Sequence, residues 1–146
     1  MTNEKFIPEK YAELVKSVDI KKIQLNSLTL SEVCDDLETM DSLKVSLEFD
    51  NSEFTTSEDK LIIYSKFFVN VSSEENNSIS TAFKMDFTYK LTYSITDICN
   101  YSEEYLNFFA SRNVPVNIWP YARELISSSS TRLGLPTIII EPLRKI

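Results

Sequence analysis

The clearest hydrophobic pattern in the chain is a strict alternation from Phe83 to Ile95. Every odd-numbered position there is apolar or aromatic, and every even-numbered position carries Lys, Asp, Thr or Ser. A period of two is typical of a β-strand with one buried face. Thirteen residues in one phase predict a strand of roughly 43 Å at ~3.3 Å per residue, well beyond the usual length. We therefore expect part of its aromatic face to be covered by another copy of the chain or by a ligand.

Two earlier segments also have strand patterns. Apolar and polar residues alternate regularly from Leu43 to Asp50, which predicts a strand with one solvent-exposed face. Ile20 to Val33 contains two short alternations whose phase changes at Asn26-Ser27. We interpret this segment as one long strand, interrupted by a bulge or bend at that dipeptide.

The segment between these patterns and the long strand is more apolar. Leu61 to Val71 has apolar residues at both odd and even positions, which predicts a strand covered on both faces, at least in part. The polar segments 51–59 and 72–80 are rich in Ser, Asn and Glu. They are predicted to be the loops between strands.

Helical spacing occurs at both ends of the chain. It predicts a short amphipathic helix over about 8–17, and further helices within about 103–133 that follow a sheet over about 20–96. In the long C-terminal helix, Asn117 is the expected N-cap, Pro120 falls in the first turn, and Gly134 follows the end. Strands followed by helices predict one α+β domain over 1–146, a four-stranded antiparallel sheet with C-terminal helices packed on one face.

Charge and hydropathy restrict the partners. The net charge is -7 with dispersed Lys and Arg, which argues against binding nucleic acid through phosphate contacts. No run of 18 or more apolar residues exists and the first ten residues are polar, so we expect neither membrane insertion nor a signal peptide. The predicted location is the cytoplasm.

The residue types also argue against catalysis. The chain has no His and a single Gly, which removes the commonest general base, the commonest metal ligand and the Gly-rich phosphate loops. Adjacent carboxylates such as Asp35 and Asp36 point apart on any regular element. We expect no enzyme activity, no metal and no cofactor. A deep pocket in which two buried carboxylates face each other would instead favour an enzyme.

A resemblance to a known family rests on four short motifs. They are Trp119-Pro120-Tyr121-Ala122-Arg123-Glu124, Gly134-Leu135-Pro136, Glu141-Pro142, and Thr81-Ala82-Phe83 at the head of the long strand. In this order they resemble SecB, the family of protein-export chaperones. The likeness in motifs covers roughly residues 81 to 142.

The resemblance implies a fold and a function. SecB has four antiparallel strands followed by a long helix, and two dimers pack into a tetramer through the helix layer. It is a holdase, which binds unfolded or nascent polypeptides without ATP. SecB also continues beyond the position of Pro142 into a second helix and an acidic tail, which contact the translocase motor SecA. Asp86 is the residue that matches the family's SecA contact. Solitary SecB-like chaperones of toxin-antitoxin systems, with an antitoxin as partner, are a further match.

Aromatic residues are the candidates for binding. On the sheet and the long helix, the expected client contacts are Phe54, Tyr64, Phe68, Trp119 and Tyr121. The expected subunit contacts are Met85, Phe87, Tyr89, Leu125, Ile126 and Ser129. Each of these residues has a plain core role as its alternative. A second function, an adaptor that holds one folded partner through the same sheet, also fits the sequence.

Overall fold

The computed structural model describes residues 6–37, 42–75, 77–135, 138–141 and 143. The elements, in chain order, are α1 (Pro8–Ser17), β1 (Val18–Ser31), β2 (Leu43–Ser57), β3 (Lys60–Glu75), β4 (Ser78–Ile95), a 3-10 turn at Ile98–Asn100, α2 (Glu103–Arg112) and α3 (Val114–Arg132). All four strands belong to one antiparallel sheet, in the order β1-β4-β3-β2. The edges of the sheet are therefore β1 and β2. Among the described residues, no helix is both long and apolar enough to cross a membrane.

The core lies between the helices and one face of the two central strands. All odd-numbered residues of β4 from Phe83 to Ile95 are buried, and so are those of β3 from Leu61 to Val71. The α3 residues Ile118, Ala122 and Ile126 are buried at helical spacing. The fold is thus the predicted α+β arrangement of an antiparallel sheet with helices on one face.

The buried face of β4 is covered within the chain. Our expectation that another copy or a ligand covers part of it is wrong for this strand. Helices from both ends of the chain cover it together. Leu14 of α1 is fully buried in the core, Phe109 of α2 packs edge-on to Tyr93 at 5.1 Å, and α3 lies over the rest. No one of these helices is long enough to cover β4 alone, but together they cover the length of the strand.

The polar segments predicted to be loops are mostly strand. β2 continues to Ser57, β3 reaches Glu75 and β4 begins at Ser78, with pairs such as Thr55 with Ile62 and Glu74 with Ile79. Main-chain pairing across a hairpin does not require apolar side chains. Ser and Thr are well tolerated in strands whose two faces are both exposed to solvent. The turns are correspondingly tight, with Glu58 and Asn77 at positive φ values of 54° and 64°.

The bulge predicted in the first strand is confirmed. The β1–β4 register shifts between Leu25 and Ser27, and again between Ile20 and Lys22. Because a one-residue shift exchanges the two faces, Leu25 and Leu28 both lie on the helix side of the sheet, opposite Tyr89 and Phe87 of β4.

The start of the long helix differs from the prediction. Helix α3 begins at Val114, with Asn113 as its N-cap and Pro120 inside the helix. Asn117 caps nothing, since its side chain donates a hydrogen bond to the Tyr93 hydroxyl at 3.0 Å. Pro120 is tolerated because Val116, whose carbonyl loses its helical donor, faces solvent.

Candidate functional site

An open apolar groove of about 580 Å³ runs along the β2 edge of the sheet, on the helix side. Its lining consists of Val45, Leu47, Phe49, Trp119, Ile139, Ile140, Glu141 and Leu143. The β2 residues have the same parity as the buried face of the sheet, with Phe49 paired to Phe67. Helix α3 does not reach far enough to cover them, so that Val45 remains 36% exposed. The groove is therefore a part of the helix-side face of the sheet that no helix covers completely.

Trp119 is fixed at the inner side of this groove. Its indole meets the ring of Phe49 edge-on, with centroids 5.8 Å apart, and lies 6.4 Å from that of Phe67. Its Nε1 donates a hydrogen bond to the main-chain oxygen of Glu141 at 2.8 Å. A ring held in this way offers a large apolar surface that loses little entropy when a ligand binds.

The outer wall of the groove is the segment 138–141, here named the strap. Arg123 Nε donates to the Ile140 oxygen at 2.9 Å, and Ser127 Oγ donates to the Ile138 oxygen at 2.7 Å. The amide of Ile138 in turn donates to Ser130 Oγ at 3.0 Å. Side chains of α3 thus hold the strap by its main chain.

The opposite flank of the helix layer carries a second apolar surface. We name Leu25, Leu28 and Leu30 the β1 strip; they lie on the helix side of the sheet and are between 36% and 41% exposed. Tyr121 of α3 lies at this flank, 6.0 Å from the Tyr89 ring, and is also substantially exposed. Helix α3 covers the centre of the sheet and leaves both edge strands partly uncovered.

The other face of the sheet is open and mainly charged. Two ion pairs on it join Lys84 to Glu32 and Lys44 to Glu74, each at 2.9 Å. The ring of Phe68 is 46% exposed on this face. It lies directly across from Asp86 of β4 in the register. The predicted partial covering of the second face of β3 therefore holds for Ile62 and Tyr64, which are partly buried, but not for Phe68.

The five predicted client contacts do not come together at one site. Trp119 lies in the groove, whereas Tyr64 and Phe68 lie on the open face and Tyr121 lies at the β1 flank. Phe54 follows a bulge between Asp50 and Glu53, which turns its side chain to the helix side, where it is partly buried against the core.

Sequence reasoning missed three groove residues of β2: Val45, Leu47 and Phe49. Their alternation predicts only the buried face of a half-wet strand. The missing information was the position of β2 at a sheet edge, where the helices cover its helix-side face only in part. No periodicity within one strand reveals its place in the sheet.

Most of the predicted subunit contacts belong to the core of their own chain. Met85, Phe87, Tyr89, Ile126 and Ser129 are all buried here, and Leu125 is partly buried against the same core. A side chain already out of water has no surface left for a second chain to cover. The assignment of the five buried residues to a subunit interface is corrected accordingly.

Three tyrosines that pack on the helix side of the sheet have shifted pKa values. Burial raises the pKa of Tyr11, Tyr89 and Tyr93 to about 12. The Tyr89 hydroxyl donates to the main-chain oxygen of Tyr121 at 3.4 Å. Within the described ranges, no three Cys, Asp or Glu side chains are grouped as metal ligands would be. The groove has a mainly apolar lining, and its lining residues include no nucleophile and base in contact.

Comparison with known proteins identifies one family and two similar structures. The SecB family, described as preprotein translocase subunit SecB, matches residues 11–144. No curated protein matches the sequence.

Two solved structures are similar to the chain. One is the SecB-like chaperone of Mycobacterium tuberculosis in complex with a ChAD peptide from the HigA1 antitoxin, with a TM-score of 0.79, 18% identity, and coverage of 94% of this chain and 99% of that one. The other, a protein of unknown function from Streptococcus agalactiae, has a TM-score of 0.38, 9% identity, and coverage of 86% and 97%. At these identities the first likeness shows a shared fold.

Proposed function

The chain belongs to the SecB family, and on that premise we propose that it is a chaperone that holds unfolded or nascent polypeptides without ATP. The observation that carries the proposal is the groove between β2, Trp119 and the strap. An unfolded segment exposes apolar side chains in any order, and an open apolar channel on a rigid sheet takes them from water without requiring a particular sequence. The net charge of -7 favours clients whose apolar stretches are flanked by basic residues.

The proposal is tested by light scattering of a chemically unfolded client during dilution. The chain should suppress aggregation at near-stoichiometric ratio, and added ATP should make no difference. Titration calorimetry against several unrelated unfolded proteins tests the second candidate function. A holdase binds many of them, whereas an adaptor for one folded partner binds none.

A toxin-antitoxin role is one specific form of this function. The structural neighbour from M. tuberculosis holds an antitoxin peptide. We propose that an antitoxin segment of apolar character is among the clients of this chain as well, bound in the same groove. Co-expression of the chain with any antitoxin encoded beside its gene, followed by a pull-down, tests this role.

Delivery of clients to SecA would use the open face of the sheet. Asp86 is exposed there beside Phe68 and Lys84, which line the same depression. This position fits a docking contact with a folded partner, because it leaves the groove free. Loss of SecA binding in Asp86→Ala, with client binding retained, would support the contact.

Self-association, as a dimer of dimers, is proposed to use the exposed apolar residues at the β1 flank. The β1 strip and Tyr121 are exposed apolar side chains on the same flank of α3, and such residues often mark contact with another protein. Partly buried Leu125 remains a candidate on the helix layer. Light scattering after size exclusion measures the assembly.

A further inference from the structure

Three side chains of α3 hold the strap by its main chain. Trp119, Arg123 and Ser127 donate to the carbonyl oxygens of Glu141, Ile140 and Ile138 in turn. No strap side chain takes part in these bonds. An extended polypeptide presents every second carbonyl oxygen on one side, as Ile138 and Ile140 do here, so another extended segment can accept hydrogen bonds from Arg123 and Ser127 in the same way.

The spacing of the donors fixes the shape of the bound segment. Trp119 and Ser127 are separated by roughly 12 Å along a helix at ~1.5 Å per residue. Three residues of chain, from Ile138 to Glu141, span at most about 11 Å when fully stretched. The strap therefore lies nearly straight along α3, and its direction is opposite to that of the helix.

The strap also has the composition of a client. Three consecutive isoleucines, Ile138 to Ile140, precede Glu141. Ile138 and Ile140 are partly buried against the core, whereas Ile139 is 76% exposed. A stretched apolar segment thus already lies on the helix beside the groove, held by partly exposed donors.

We propose that the strap is an intramolecular competitor of clients, so that a client segment takes the donor row of α3 and releases residues 138–141. This inference rests on the proposed function, since it concerns the same groove. Its physical basis is that a site occupied by a segment of its own chain binds a ligand only in the fraction of molecules where that segment has left. The apparent dissociation constant is raised accordingly. Weakening the strap then tightens client binding.

The opposing possibility is that the strap stays in place and serves as a permanent wall. Ile139 and Ile140 both line the groove. Replacing either of them by Ser would then remove apolar contact with the client and weaken its binding. The two arrangements predict changes of opposite sign in the same variant.

The experiment uses reduced, carboxymethylated α-lactalbumin as a permanently unfolded probe, with fluorescence anisotropy as the measure of binding. Ile140→Ser removes a side chain that packs the strap on the core, and Ile79→Ser is the matched control, the same change at an exposed isoleucine outside the groove. We expect Ile140→Ser to bind the probe roughly threefold or more tightly than the wild type, and Ile79→Ser to bind it unchanged. Thermal melts verify that both variants fold.

Hydrogen exchange gives a second readout in the wild type. The Ile138 amide is bonded to Ser130 Oγ, and its exchange should accelerate when the probe saturates the protein. Weaker binding by Ile140→Ser, or slower exchange at Ile138, would overturn the competitor while the holdase function stands. Absence of probe binding by the wild type and by both variants would instead refute the proposed function, and the competitor with it.

Discussion

The rings of Phe67 and Phe87 stack face to face across β3 and β4, with centroids 4.8 Å apart and planes inclined by 11°. The two residues are direct partners in the register, and both are almost fully buried. This pair lies under α3 at the centre of the sheet, so it belongs to the stability of one chain.

Phe87→Ala is therefore expected to destabilise the chain itself. Removal of a buried ring leaves a cavity beside Phe67, and the free energy of unfolding should fall by about 3–5 kcal/mol. Urea denaturation measures this change. Phe68→Ala, at the exposed residue next to Phe67, is the control and should cost less than about 1 kcal/mol. Equal losses in the two variants would contradict the placement of the core.

A second prediction concerns the groove. Val45→Asp places a carboxylate on the apolar lining, where an apolar client segment would have to bury it. Protection of an unfolded client from aggregation should decrease several-fold, with the melting temperature little changed because Val45 is partly exposed. Ser46→Asp adds the same charge one residue away on the other face and should protect as the wild type does. If both variants protect equally, clients do not use this groove.

A third prediction concerns self-association through the β1 strip. Leu28→Lys puts a charge on the exposed apolar surface and should shift the assembly towards smaller species in light scattering. Thr29→Lys is the matched control, since Thr29 lies on the opposite face, across from Asp86. An assembly that survives Leu28→Lys but dissociates in Leu125→Asp would move the interface to the helix layer.

A fourth prediction follows from the buried tyrosines. Their folded-state pKa of about 12 lies above the ordinary value of 10.0, so between these two pH values the folded chain retains protons that the unfolded chain loses. Stability is then present in full below pH 10.0 and declines as the pH rises towards 12. Chemical denaturation across this range measures the decline. Tyr89→Phe should make it shallower, and an unchanged slope would show that Tyr89 titrates normally in the folded state.

The fold was largely predictable because its signals are local. Each of these signals depends on residues that are close in sequence. They are the alternation of β4, the phase change at Asn26-Ser27, and the order of strands before helices. The ends of strands were not predictable in this way. The segments 51–57 and 78–80 are polar, and only their partners across the hairpins make them strand.

The candidate site was less predictable, because it depends on which strands are at the edges. Val45 and Phe87 have the same pattern in the sequence, an apolar residue between polar ones. The position of β2 at an edge leaves Val45 at the groove, and the central position of β4 buries Phe87 under α3. The helix residue Trp119 is identifiable from its motif, whereas the strap it holds could not be inferred from periodicity.

The pairing of β1 with β4 has a consequence for the order of folding. Short hairpins join β2 to β3 and β3 to β4, so these strands can pair as each is completed. The pairing of β1 with β4, in contrast, joins residues as far apart in sequence as Val18 and Ile95. Closure of such a long loop is entropically costly and slow, so we expect β1 to dock last. Until β1 docks, the main-chain groups on the outer edge of β4 have no strand partner. The newly made chain then exposes an unpaired strand edge, which is prone to association with other chains.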